Sequence, residues 1–310
     1  MFAFFVLLHN KYVNPRKMKL NGRRESTNVE DRRGGASTGT KAGLGIGGII
    51  LIAVITFLSG GDLTDVVTNV MQNAGTEVFQ QNDQGTTQFS AEEEELAKFS
   101  RQILAGTEDV WSAIFKKMGK TYTPPTLVLF TGSVNSACGS ATSAVGPFYC
   151  SGDQKLYIDL SFFTQMKSQL GADGDFSYAY VIAHEVGHHV QNQLGTLGQA
   201  HQQMSRYKAN SKEYNQISVR LELQADFYAG VWAYHDNRMY NSLEPDDVDE
   251  GLAVAAKIGD DYLQKQAYGY TVPDSFNHGT SAQRSKWLKK GIATGDPSQG
   301  DTFSIAYSSL

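Results

Sequence analysis

Apolar residues run almost unbroken from Phe176 to Ala183 and return at Val190 and Leu194, a spacing that predicts a largely buried helix over 176–194. The stretch 217–232 repeats the pattern, with Leu221, Leu223, Ala225 and Phe227 at its centre. Similar periodicity predicts helices near 161–170, 211–236, 246–265 and 280–290. Another, over 91–118, is opened by Ser90 and the acids Glu92 to Glu95, which suit a helix N-terminus. Residues 126–131 and 155–160 have strand character. The expected class is α+β, mainly helical, with a small sheet.

One apolar run differs from these. Residues 42–58 carry no charge and would span roughly 25 Å as a helix, just enough to cross a bilayer. Nine Lys or Arg against three acids precede it within residues 1–41, and Asp62 and Asp65 follow it. The positive-inside rule then predicts an uncleaved single-pass anchor, with the N-terminus in the cytoplasm and everything after about Ser59 outside. At 310 residues and 41% hydrophobic content the chain has material for one sizeable domain plus this appendage. The expected division is a basic cytoplasmic segment 1–41, with 1–17 either an upstream mis-start of the reading frame or a short hydrophobic tail. An anchor follows at 42–58, then a polar tether at 59–90, a domain at 91–295 and a tail at 296–310. Gly43, Gly45 and Gly48 match a dinucleotide fingerprint, but no strand precedes them. Gly43 and Gly47 could instead pack membrane helices. With a net charge of −5 no nucleic-acid partner is expected.

The chemistry sits in the most apolar helix. His184 and His188 are four apart, on one helical face, with Glu185 beside them. That is the wiring of a zinc hydrolase: two imidazole ligands, an open position for water, and a carboxylate to take the water's proton. Histidines in a buried helix need partners, and one metal ion would satisfy both. A catalytic zinc usually takes a third protein ligand. Glu222 and Asp226, four apart on the apolar helix 217–232, suggest it: Glu222 as ligand, and Asp226 accepting from the second ring nitrogen of a ligand histidine. A metzincin is excluded, since Gln191 and Leu194 stand where its glycine and third histidine belong. His189 points roughly 100° away around the helix and reads as a core or supporting group. His201 and His235 lie in polar stretches and read as surface residues.

Cys138 and Cys150 bracket a loop rich in Gly, Ser and Ala. In an exported chain such a pair is expected to form a disulfide; their twelve-residue spacing lacks a zinc knuckle.

Taken together, His184 to Gln191, Arg220 to Gly230, Asn277 to Arg284 with Trp287, and the opening Met18 to Arg33 resemble the bacterial putative neutral zinc metallopeptidase family. The likeness covers about residues 18–290. It implies a zincin-like, gluzincin-type peptidase site with one Zn2+ per chain, held by His184, His188 and Glu222, and with Glu185 as base.

The oxyanion of the tetrahedral intermediate needs a further donor. His278, Arg284 and Tyr149 are the candidates, against structural roles for His278 as a loop-fixing group and Arg284 as a salt-bridge partner. In zinc peptidases a strand beside the active helix commonly pairs with extended substrate, and Phe148–Cys150 or residues 155–160 could supply that edge. The expected function is a membrane-anchored zinc metallopeptidase. Its expected partners are a peptide or protein substrate and the lipid bilayer through residues 42–58. A noncatalytic zinc-domain scaffold and an amidase acting on cell-wall peptide are the alternatives.

Overall fold

The computed structural model of the protein describes residues 18–34, 89–172 and 174–310. The expected anchor at 42–58 lies outside the described residues, as do 1–17 and most of the tether. Among the described residues no helix is long and apolar enough to cross a membrane.

The elements, in order, are β1 (Val29–Asp31), α1 (Ala91–Lys117), β2 (Thr126–Phe130), β3 (Ser133–Ser136), β4 (Gly139–Thr142), β5 (Phe148–Cys150) and β6 (Lys155–Asp159). They continue with α2 (Ser161–Leu170), α3 (Asp175–Leu194), α4 (Thr196–Met204), α5 (Lys212–Tyr240), α6 (Asp247–Lys257), α7 (Asp260–Tyr268) and α8 (Ser281–Thr294). The class is mainly helical α+β, as the periodicity predicts. Ser90 opens α1 with a reciprocal capping box to Glu93, and Thr280 opens α8 with one to Gln283.

The sheet has the order β1-β2-β6-β5, with β1, β2 and β6 parallel and β5 antiparallel to β6. β6 is therefore an inner strand. Residues 155–160 cannot offer a free edge, because both sides of β6 already carry ladders; β5 is the edge strand. β3 and β4 form a separate hairpin. The Cys138–Cys150 disulfide joins the tip of that hairpin to β5, with 5.8 Å between the Cα atoms.

Helices α3 and α5 form the centre of the domain, and both are buried along most of their length. Their approach is set by Gly187, where a Cβ would lie 2.9 Å from the Ala225 carbonyl oxygen. Any larger residue would push α3, with its two histidines, away from Glu222. Gly230 does the same between α5 and α8, a Cβ there meeting the Leu288 carbonyl oxygen at 2.3 Å. Around this crossing Trp111, Trp232, Tyr180, Phe176 and Phe227 are fully buried.

Three expectations need correction. The helix expected over 246–265 is two helices, because Gly259 passes against the backbone of Ser281, where a Cβ would stand 2.2 Å from its nitrogen, and Asp260 N–H donates to the Gly279 carbonyl. The 296–310 tail is part of the domain: Thr302 is fully buried, and Gln224 Nε2 donates to Gly300 O at 2.8 Å. The third concerns the N-terminus. Residues 18–34, expected in a separate cytoplasmic segment, pack on the domain, with Met18 and Leu20 in the core, β1 paired to β2, and Arg23 forked onto buried Asp236 at 2.6 and 2.8 Å. A single crossing at 42–58 would separate two pieces of one core.

Candidate metal centre

Turn spacing puts His184 and His188 on one face of α3, and the Gly187 contact brings that face against Glu222 of α5. One ligand atom from each of the three lies within 4.8 Å of the others. The rings of the two histidines are 4.8 Å apart and perpendicular. His184 Nε2 is 3.2 Å and His188 Nε2 3.4 Å from the Glu222 carboxylate.

The opposite ring nitrogens are held from behind. His184 Nδ1 donates to Asp226 Oδ1 at 2.8 Å, and His188 Nδ1 donates to Gln191 Oε1 at 2.9 Å. Both imidazoles thus present Nε2 to a common point, the tautomer a metal ligand needs. The donor set, two neutral imidazoles and a carboxylate, fits zinc with a coordination position left open. Electrostatics agree. Burial disfavours a charged His184 imidazole, yet Asp226 and Glu222 outweigh it and raise its pKa to about 10. Burial likewise opposes ionisation of Glu222, but His188 and His184 hold it well below the ordinary carboxylate value. This is a place built to hold positive charge, and a divalent cation would take it in place of the protons.

Asp226 is itself fully buried and fully engaged. It accepts from Tyr180 OH at 2.5 Å, from Arg284 Nε and Nη2 at 2.9 Å each, and from His184. Gln191 is locked in turn by donating Nε2 to Leu221 O at 2.7 Å and Gln224 Oε1 at 3.1 Å.

Glu185, 8% exposed, borders the same cleft as the three candidate ligand residues. Burial pushes its carboxyl pKa up, against the pull of His184 and His188.

The three oxyanion candidates separate. His278 borders the cleft, and its ring is oriented by buried Asp260, which accepts from Nδ1 at 3.1 Å and from the His278 and Gly279 main-chain N–H groups at 2.7 and 2.9 Å. Arg284 touches the cleft wall, but its guanidinium is committed to Asp226, Tyr180 and the Ile258 carbonyl. The Tyr149 hydroxyl is turned to His189 Nδ1 and Asn192 Nδ2, both at 3.0 Å, and burial pushes its pKa up to about 12. His189 is fully buried and donates to Thr123 O at 2.7 Å. Burial lowers its pKa to about 4, so it is neutral. His201 is exposed, as expected, and α4 sets it at the border of the cleft; half-buried His235 donates to Gly295 O at 2.7 Å.

Sequence reasoning missed Tyr180, Gln191 and Asp260. Tyr180 is four before His184 and Gln191 three after His188, spacings that place each beside its histidine. No local spacing points to Asp260, which lies 18 residues from its partner.

The model of a family described as putative neutral zinc metallopeptidase matches residues 18–303, and the chain belongs to that family. It is 50% identical to the uncharacterized protein YpfJ of Escherichia coli K12 over 294 residues, covering 92% of this chain and 99% of that one. It is 44% identical to the uncharacterized protein Mb2605 of Mycobacterium bovis over 219 residues, 67% of this chain and 72% of the other. The uncharacterized protein Rv2575 of Mycobacterium tuberculosis matches equally well. No solved structure matches.

Proposed function

We propose that this member of the zinc metallopeptidase family hydrolyses peptide bonds at the cleft above His184, His188 and Glu222. One observation carries the reading: two Nε2 atoms and a carboxylate converge within 4.8 Å while Glu185 opens on the same cleft. A purely structural zinc site has no use for such a base and closes its fourth position with a protein ligand.

His184, His188 and Glu222 would hold the zinc, which would supply a water acidic enough to lose a proton near neutrality and a Lewis acid for the scissile carbonyl. Glu185 takes the proton as the water oxygen adds to the carbonyl carbon. It then delivers the proton to the amide nitrogen as the C–N bond breaks. His278, oriented by Asp260, donates to the developing oxyanion. Asp226, Gln191 and Arg284 act behind the ligands and touch no substrate. β5, the edge of the sheet beside α3, offers main-chain pairing to an extended peptide.

The same proposal places the enzyme outside the cytoplasm, supported by the Cys138–Cys150 disulfide. Residues 18–34 belong in that compartment too, because they share the domain's core.

The test is metal analysis and proteolysis with the purified chain. About one zinc per chain is expected in wild type and in Glu185→Gln, with hydrolysis abolished in the variant. Activity retained in Glu185→Gln would reject its role as base, and a metal-free wild type would reject the centre.

A further inference from the structure

The cleft encloses about 550 Å³. Its charged groups are few and already used. Among the described residues that line it, the carboxylates are Glu185 and Glu222, both within the metal centre, and the only Lys or Arg is Arg284. That guanidinium is clamped on Asp226 and is 4% exposed. An enzyme that trims chain ends must recognise a terminal ammonium with a carboxylate or a terminal carboxylate with a cation. Outside the metal centre the described lining holds no carboxylate, and besides Arg284 its remaining basic side chains are His278, held by buried Asp260, and His201, whose pKa desolvation lowers. No standing partner for a terminal charge is found among the described residues.

What the cleft does provide is apolar surface in two separate places. Phe162, Val181 and Ile258 belong to the main core, and Val181 lies on α3 just before His184. Leu197, Met204 and Leu221 belong to a distinct cluster beyond the other end of the motif, where α3 gives way to α4. Tyr149 of the edge strand packs against both clusters. An extended chain alternates its side chains every 3.2–3.4 Å, so one passing along β5 and over the metal ligands would bring successive side chains to apolar walls on both sides of its scissile bond.

We propose that the site belongs to an endopeptidase that takes the interior of an extended polypeptide with bulky apolar side chains on both sides of the cleaved bond. This rests on the peptidase reading above. Burying a charged side chain against either wall leaves it without a partner, so charged residues next to the bond are rejected. Termini are irrelevant, because the chain continues past the cleft in both directions.

The test uses the zinc-loaded full chain and quenched-fluorescence peptides. The central pair is either Leu-Phe or Glu-Lys, and the ends are either acetylated and amidated or free; amino-acid naphthylamides are added as exopeptidase substrates. Blocked and free Leu-Phe peptides should be cut with kcat/KM within about threefold of each other. The charged pair should be slower by roughly ten- to a hundredfold, and the naphthylamides should be untouched. In Met204→Lys, shown folded by circular dichroism and by retained zinc, the preference for the apolar pair should fall; Leu197→Lys serves if that variant does not fold. A requirement for a free terminus, equal cleavage of the charged pair, or an unchanged preference in the folded variant overturns this proposal while leaving the peptidase reading intact. Failure to cut any peptide by a zinc-loaded wild type overturns both.

Discussion

Arg284 on α8 grips both carboxylate oxygens of Asp226 on α5, each through one N–H at 2.9 Å, and so fixes the residue that orients the His184 ring. The pair is buried and forms part of the support of the metal centre from behind. Removing Arg284 leaves a buried carboxylate without its main compensating charge. Arg284→Leu is expected to destabilise the fold by about 3–5 kcal/mol, read by chemical denaturation. Asp226→Asn is expected to weaken zinc binding roughly 10- to 100-fold in a competitive chelator titration. Unchanged affinity would remove Asp226 from the support of His184.

His278 touches the cleft, and Asp260 holds the His278 ring and the main-chain N–H groups of His278 and Gly279. His278→Ala should lower kcat about 10²- to 10³-fold with little change in KM, as for a donor engaged only in the transition state. Asp260→Asn should show a smaller loss of the same kind, since the ring stays in place with weaker orientation. A KM effect without a kcat effect would make His278 a substrate-binding group instead.

Chelation should abolish hydrolysis and lower the melting temperature, because an ion that binds only the folded chain adds its binding free energy to stability. Adding back zinc should restore both. A melting curve indifferent to the chelator would argue against metal at His184, His188 and Glu222.

Residues 18–34 and the domain share one core, so they must share a compartment. Cysteines placed at exposed Asn21 and Lys208 should respond alike to a membrane-impermeant maleimide applied to intact cells, both labelled or both protected. Labelling of one alone would show that the packing of Met18 and Leu20 is not the cellular state.

Asp31 orients Arg33 of the same segment by accepting from it at 2.6–3.2 Å, and Arg33 in turn reaches α1, donating to Glu94 Oε1 at 2.8 Å. The side-chain bond from Arg33 holds the Asp31 pKa below the ordinary 3.8 despite partial burial. A depressed folded pKa means stability that is fully present above the ordinary value and lost as pH falls through the folded one. Asp31→Asn should therefore melt roughly 1–3 °C below wild type at pH 6, and the difference should vanish in acid well below pH 3.8. A difference that persists there would assign the effect to packing.

The information legible along the chain was local. Helical period placed His184 above His188 and Glu222 above Asp226, and it marked both helices as buried, because side-chain direction along a helix follows from spacing alone. Family-like motifs extended this to the zinc ligand set and to His278. The tertiary structure decided everything that depends on which surfaces meet. Gly187 against Ala225 brings His184 and His188 to Glu222 and Asp226; Arg284 turns to Asp226; Asp260 and Gln191 become the supports of His278 and His188. It also gathers Met18 and Leu20 into a core whose other members begin at Ala97. Such pairings join residues tens to hundreds of positions apart, where chain periodicity carries no information and only close packing selects partners.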